Sequence, residues 1–238
     1  MENKIEFKIR NDFDDDLKKE WEHLSNHCQI SIFQSYTWQL AWFENINKHY
    51  AKNSIIIISV YFDNKVVSII PFEKKIFLNL NILSLTGFPF ADYGDCLIDR
   101  MFFDPNKIIK KKIVKYLSNI ENIDVIKIEN IVEDNNVHNL FDKYNFKKSS
   151  FNSYQLYKIN NYKKVISKKF INDTNRQIKR LKMFGELSFD IAETSNQKND
   201  IFNFFIKFKK RQLVDTKNWN YLDNKDYINF LKKIYTNH

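Results

Sequence analysis

Two apolar runs, residues 54–62 (SIIIISVYF) and 65–73 (KVVSIIPFE), stand two residues apart. β-branched and aromatic side chains fill both, and these suit the pleated, half-buried backbone of a strand. Asp63-Asn64 between them fits a two-residue turn with positive φ at both positions, which joins antiparallel strands. A hairpin over 54–73 therefore anchors the fold, and its flanks must supply elements to cover it. Pro71 has no N–H for a ladder, so the second strand is expected to end or bulge there.

The flanks read as follows. Residues 4–10 alternate as a short strand. Asp12 to Asp16 can cap a helix over 14–26, because carboxylates favour the positive N-terminal end. Leu17, Trp21 and Leu24 make one apolar stripe on it. A second helix spans 35–49 with Ser35 as N-cap. Its Trp38, Trp42 and Ile46 form either a core stripe or a platform for stacking a ligand. Past the hairpin come a strand at 76–85, a loop from Gly87 to Gly94 and a strand at 95–99. Asp104-Pro105 opens a helix to 118, since Pro fits the first helical position. A strand at 124–129, a helix at 134–143 and a strand at 153–159 follow. This order predicts a mixed α/β layer.

Asn160-Asn161-Tyr162-Lys163 is a polar junction, and it suggests two domains, 1–160 and 161–238. After it the pattern predicts a long helix at 163–184 closed by Gly185, a strand at 186–193, a helix at 197–213, Trp219 in a loop, and a helix at 224–235. Phe202, Phe205 and Phe208, three residues apart, are candidates for the core.

Charge follows the same division. The chain carries a formal +9. Residues 1–160 hold equal numbers of acids and bases, so the whole excess lies in 161–238. Lys, Ile and Asn make up 94 of the 238 residues, a bias that weakens the lysine count as a sign of a polyanion partner. With 3 Gly, 3 Pro, 2 Cys and 22 Phe, the chain is neither collagen-like, disordered nor a disulfide scaffold. Cys28 and Cys96 are expected reduced and buried. The N-terminus has no signal-peptide pattern and no run is long enough to span a membrane, so a cytoplasmic protein is expected.

Two segments could carry chemistry. With Ile171 set at zero and 100° per residue, Phe170, Thr174, Ile178 and Leu181 share one side of the helix at 163–184. Lys168, Lys169, Arg176, Lys179 and Arg180 take the other. Residues 161–184 contain eight basic residues and one acid, Asp173. Such a face suits phosphate-bearing ligands, an anionic polymer or peripheral contact with an anionic membrane; composition bias alone would also produce it. Arg176 and Arg180 stand out, since Arg is scarce here and its planar fork fits phosphate and carboxylate. Lys207, Lys209, Lys210 and Arg211 would extend the patch if the two helices lie side by side. No nucleic-acid-binding signature accompanies it. The second segment is Ala91-Asp92-Tyr93-Gly94-Asp95. Asp92 could act as a general base and Tyr93 as a general acid, or the acids and glycines could simply shape a turn. No metal-ligand pattern, Walker loop, GxGxxG or GxSxG motif is present.

Three motifs carry a family resemblance. The first is Trp21-Glu-His-Leu24 followed by Ile32-Phe-Gln-Ser-Tyr-Thr-Trp38 and Ala41-Trp-Phe43. The second is Ile69-Ile-Pro-Phe72 with the Asp92-Tyr93 loop. The third is Asn175-Arg-Gln-Ile-Lys-Arg-Leu-Lys-Met-Phe-Gly185 leading into residues 186–193, with Lys210-Arg211 beyond. Over about residues 20–235 the chain resembles GNAT-like acyltransferases of the cellulose and exopolysaccharide-biosynthesis type, relatives of the Fem-type aminoacyltransferases. The resemblance implies one GNAT-like domain followed by the first half of another. It also implies acyl transfer from acetyl-CoA or another acyl-CoA, without a metal. The acceptor would be an amine or hydroxyl of a small molecule, glycan or cell-envelope precursor. On this reading Asp92, Tyr93 and Asp95 are candidate acceptor contacts, and Arg176, Lys179, Arg180 and Arg211 would hold an anionic group of donor or acceptor. Family members place the acyl-carrier loop late in the second domain. A chain ending at His238 is then expected to be truncated, and inactive or incomplete. The alternative is a non-catalytic module that places its basic helix on an anionic polymer or membrane surface.

Overall fold

The computed structural model describes residues 4–28, 30–49, 54–88, 90–99, 101, 107–133, 135–141 and 166–236. Asp104-Pro105, the strand expected at 153–159 and the junction at 160–163 lie outside them. The chain forms two compact units, Met1–Tyr144 with Lys198–His238, and Asn145–Gln197.

The first unit is built on a six-stranded mixed sheet: β1 (Ile5–Arg10), β2 (Ser54–Phe62), β3 (Lys65–Phe77), β4 (Leu80–Leu85), β5 (Leu97–Ile98) and β6 (Val125–Lys127). The order is β1-β2-β3-β4-β6, with β5 also paired to β3. All pairs are antiparallel except β4 with β6. The expected turn is present, with Asp63 at φ 47° and Asn64 at φ 64°. A second turn of the same kind, Leu78 (φ 49°) and Asn79 (φ 63°), joins β3 to β4.

Pro71 does not end its strand. β3 runs through it to Phe77, and Pro71 sits in register with Ile57. Its carbonyl accepts from Thr86 N–H at 3.1 Å, so its nitrogen points to the same side. On that side the neighbouring chain leaves the sheet after β4, and no donor is required there. The register shift falls instead at Val60/Tyr61.

Helices cover both faces. On one side α1 (Asp15–Ser25) and α2 (Tyr36–Asn45) bury Leu17, Trp21, Leu24 and Phe43 against Ile55, Ile57, Ile69 and Leu97. On the other, α3 (Lys107–Ser118) and α4 (Asn136–Phe141) bury Ile109, Ile113, Leu117 and Leu140 against Ile58, Ile70, Phe72 and Leu83. Burial on both faces explains why residues 54–62 lack polar alternation. Asp14 caps α1 by accepting from Leu17 N–H at 2.6 Å, and Ser35 caps α2. The Trp21 indole N–H donates to the Gln34 carbonyl at 2.9 Å, so this fully buried ring leaves no polar group unpaired.

Beyond α5 (Lys168–Lys182), a helix of the second unit, the chain returns to the first with α6 (Ser195–Asp215) and α7 (Lys225–Thr236). The sequence partition at residue 160 groups these helices with a second domain, whereas in the structure they pack on the first. The reason lies in α7, whose Phe230 is 1% exposed and packs edge-on against the stacked rings of Trp38 and Trp42 on α2. The tryptophan stripe is therefore core. On α6 only Phe202 of the three candidate phenylalanines is buried; Phe205 is 47% and Phe208 53% exposed. Steps of three advance 300° on a helix, so such a row spirals away from any single face.

In the second unit, α5 (Lys168–Lys182) starts at Ser167, whose hydroxyl accepts from Phe170 N–H at 3.2 Å. It ends with Met183 as C-cap, two residues before Gly185, which takes φ 153°. The strand expected at 186–193 is not formed; these residues have no regular structure and no partner strand among the described residues. Leu187, Phe189 and Ile191 alternate as a strand would, but alternation without a neighbour to pair with leaves the ladder bonds unmade.

Candidate functional site

The distinctive feature of the first unit is an interruption beside β3. Leu85 of β4 pairs with Phe72, and Leu97 of β5 pairs with Ile69. Two residues of β3, Ile70 and Pro71, thus face eleven residues, 86–96, which must leave the sheet as a loop. Beyond Ser84 and Lys127, β4 and its parallel neighbour β6 also separate. Both strands end here by their carboxyl ends, the position at which open α/β sheets bind ligands.

Side chains on α2 and its approach hold the loop. Gln39 Oε1 accepts from Thr86 Oγ1 at 2.5 Å, and Gln34 Nε2 donates to the Tyr93 carbonyl at 2.7 Å. Both glutamines are buried. On the β6 side, Gly94 N–H donates to the Asn130 carbonyl at 2.8 Å, Asn130 Nδ2 to the Ala91 carbonyl at 3.1 Å, and Asn135 Nδ2 to the Gly94 carbonyl at 3.0 Å. A Cβ on Gly94 would lie 2.8 Å from the Glu129 carbonyl oxygen, so two backbones meet where only glycine fits. A Cβ on Gly87, which takes φ 102°, would lie 2.4 Å from the Trp38 ring.

A cleft opens between these segments, lined chiefly by Ser84, Thr86, Phe88, Lys127, Glu129 and Asn130. Its volume is about 20 Å³, room for a single water. Lys127 Nζ lies 2.8 Å from Glu129 Oε2 and 5.5 Å from the centre of the Phe88 ring. One strand inward, register pairs Ser84 with Glu73, which is fully buried on β3. Glu73, Ser84 and Lys127 therefore form a polar row across β3, β4 and β6 on the α2 face. Glu73 Oε2 accepts from the Trp42 indole and from Asn47 Nδ2, both at 3.3 Å, and Oε1 lies 2.7 Å from Lys75 Nζ.

The structure places the expected residues unevenly. Asp92 and Tyr93 are exposed on the loop, between the cleft residues Ala91 and Gly94. Asp95 turns inward, and its Oδ1 accepts from Val137 N–H at 2.9 Å at the start of α4. Arg176, Lys179 and Arg180 lie exposed on α5 of the second unit, with Arg176 Nη2 3.1 Å from Asp173. Arg211 belongs to α6, its Nε 3.7 Å from Asp215. Cys96 is buried and Cys28 half-buried, neither in a disulfide, and Cys28 Sγ donates to the Ile98 carbonyl at 2.9 Å. Burial raises the Cys96 thiol pKa well above its usual 9.0, with the neighbouring Asp95 adding in the same direction. Among the described residues, no three His, Cys, Asp or Glu side chains gather as a metal site. Sequence reasoning missed Glu73, Lys127 and Glu129. Only Glu73 carried a signal, as an acid inside a strand read as buried.

No protein-family model and no curated protein matches the sequence. Solved structures do. The chain is similar to a possible acetyltransferase from Clostridium difficile 630, at 17% identity and TM-score 0.38, covering 64% of this chain and 98% of that one. It is similar to an aminoglycoside acetyltransferase from an uncultured soil metagenomic sample, solved in complex with trehalose, at 8% identity and TM-score 0.35, covering 65% and 97%. It is also similar to the glucosamine-6-phosphate N-acetyltransferase of Arabidopsis thaliana, at 16% identity and TM-score 0.36, covering 63% and 98%.

Proposed function

We propose that the first unit is a GNAT-like acyltransferase domain that moves an acyl group from an acyl-CoA-type thioester to an amine or hydroxyl of a saccharide or cell-envelope precursor. The observation that carries this reading is the parting of β4 from β5 and β6, which leaves a polar cleft at the carboxyl ends of the parallel pair.

The chemistry asked of such a cleft is modest. A base takes the acceptor's proton, the freed lone pair attacks the thioester carbonyl, and the thiol leaves with a proton. Glu129 is the proposed base, held beside Lys127 at the mouth. Asp92 and Tyr93, on the rim, are the proposed acceptor contacts. Asp95 is assigned to capping α4. Room for one water is too little for an acetyl group, so donor entry requires the half-exposed Phe88 ring to swing outward.

Calorimetry with acetyl-CoA, followed by thiol release in the presence of an amino sugar, tests this. Wild type is expected to bind the thioester and release thiol. Glu129→Gln should lower release at least tenfold with binding retained, and Phe88→Ala should tighten binding. Absence of acyl-CoA binding by both wild type and Phe88→Ala would remove the proposal.

A further inference from the structure

We infer that α5 lies flat in the headgroup layer of an anionic lipid surface. It is an amphipathic helix, and among the described residues its apolar side is left exposed. At 100° per residue, Phe170, Leu181, Thr174, Ile178 and Ile171 fall within an arc of about 100°. Phe170 is 61% exposed, Ile178 36% and Leu181 54%. Met183 and Phe184, just past the helix, are 82% and 91% exposed. None of the described residues 166–197 is buried.

The rest of the helix says what kind of surface would cover this arc. Lys182, Lys168 and Lys179 follow it directly on one side, and Arg176, Lys169 and Arg180 complete the opposite face. Six basic residues stand against one acid, Asp173, which is already paired with Arg176. A second copy of the chain would bring the same charges face to face. An anionic bilayer meets both requirements, because acyl chains take the apolar arc while lysine stems reach up to headgroup phosphates. The helix is 15 residues long with seven charges, and no described helix is long and apolar enough to cross a membrane. The mode is therefore interfacial. It is independent of the cleft chemistry, since it uses no residue of the cleft.

The test is co-sedimentation of the full chain with large vesicles of phosphatidylcholine alone, or with about a third phosphatidylglycerol. Binding is expected to the anionic vesicles and to fall steeply in 0.5 M salt. Lys179→Gln and Arg180→Gln should each weaken it roughly fivefold. Leu181→Asp should reduce it at least tenfold. Position 181 is exposed, so the fold is expected to survive, and an unchanged thermal midpoint would show that. Equal binding to neutral vesicles, no binding to either, or full binding by a folded Leu181→Asp variant would each overturn the inference. The last outcome would identify a purely electrostatic polyanion contact.

Discussion

Phe230→Ala tests whether α7 belongs to the first unit. The ring is 1% exposed and meets Trp38 and Trp42 edge-on, each at 5.3 Å between centroids, with interplanar angles of 89° and 85°. Truncating a buried Phe costs about 3–5 kcal/mol through lost transfer energy and the cavity left behind. Two edge-to-face pairs place this site toward the upper part of that range. For a body of this size each kcal/mol shifts the melting point by about 2–4 °C, so a loss of ~4 kcal/mol lowers it by roughly 8–16 °C. The assay is thermal unfolding followed by circular dichroism, read beside tryptophan emission. Trp38 and Trp42 are 3% and 1% exposed, and losing their cover should shift emission to the red. Lys233→Ala is the control. It breaks the partly exposed ion pair with Glu44 but leaves the ring in place, and should cost under about 1 kcal/mol. A Phe230→Ala loss below about 1 kcal/mol with unshifted emission would refute the packing and return α7 to a separate domain.

Four further outcomes follow from the structure. Gly94→Ala should lower stability by about 1–3 kcal/mol in urea titrations, because its Cβ would meet the Glu129 carbonyl and the Leu85 side chain. Gly185→Ala, with nothing within 4 Å, should carry only the backbone strain of φ 153°, about 1 kcal/mol. Glu73→Ala should destabilise by about 3 kcal/mol, since it strands the Trp42 and Asn47 donors in a buried site; Glu73→Gln should recover much of this in the same titration. Finally, stability should fall above pH 9. The Cys96 thiol keeps its proton in the fold, whereas the unfolded chain loses it near 9.0, so the contribution is complete below that pH and lost as pH rises toward the higher folded value. Tyr36, Tyr61 and Tyr221 are raised too and act in the same direction from about pH 10. Urea midpoints at pH 8 and 10 should differ less in Cys96→Val than in wild type.

Elements whose signal is local were legible. The Asp63-Asn64 turn, a cap from the Asp12–Asp16 group (Asp14 in the structure), the Ser35 cap and the Leu17–Trp21–Leu24 stripe depend on residues within one turn or one hairpin, and each is found in place. Elements whose existence depends on a distant partner were not. Residues 186–193 have a strand's alternation and no partner strand among the described residues. Phe205 and Phe208 have the apolarity of core residues, but helical phase decides which phenylalanine faces inward, and only Phe202 does. Pro71 has the chemistry of a strand end, but the direction of its missing N–H matters more than its absence. α7 lies past the polar junction in sequence, yet the chain returns there to cover the tryptophans of α2.

The candidate site shows the same division within one loop. Gly87 and Gly94 mark its ends in the sequence, and both are required, one by the Trp38 ring and the other by the Glu129 backbone. The acids between them were visible as Asp92, Tyr93 and Asp95, but composition could not say that Asp95 faces α4 while Asp92 faces outward. Lys127 and Glu129 were missed because nothing in their own segment distinguishes them from other charged residues of a lysine-rich chain. They become candidates only through register. Parallel pairing of β6 with β4 sets Lys127 beside Ser84, antiparallel pairing of β4 with β3 sets Ser84 beside Glu73, and the eleven residues between Leu85 and Leu97, which leave the sheet opposite Ile70 and Pro71, open the gap they border. If that register is what makes the site, Glu129→Gln should alter transfer while leaving stability within about 0.5 kcal/mol, as a half-exposed surface substitution does. A stability loss comparable to that of Glu73→Ala would instead make the Lys127–Glu129 pair a structural clasp.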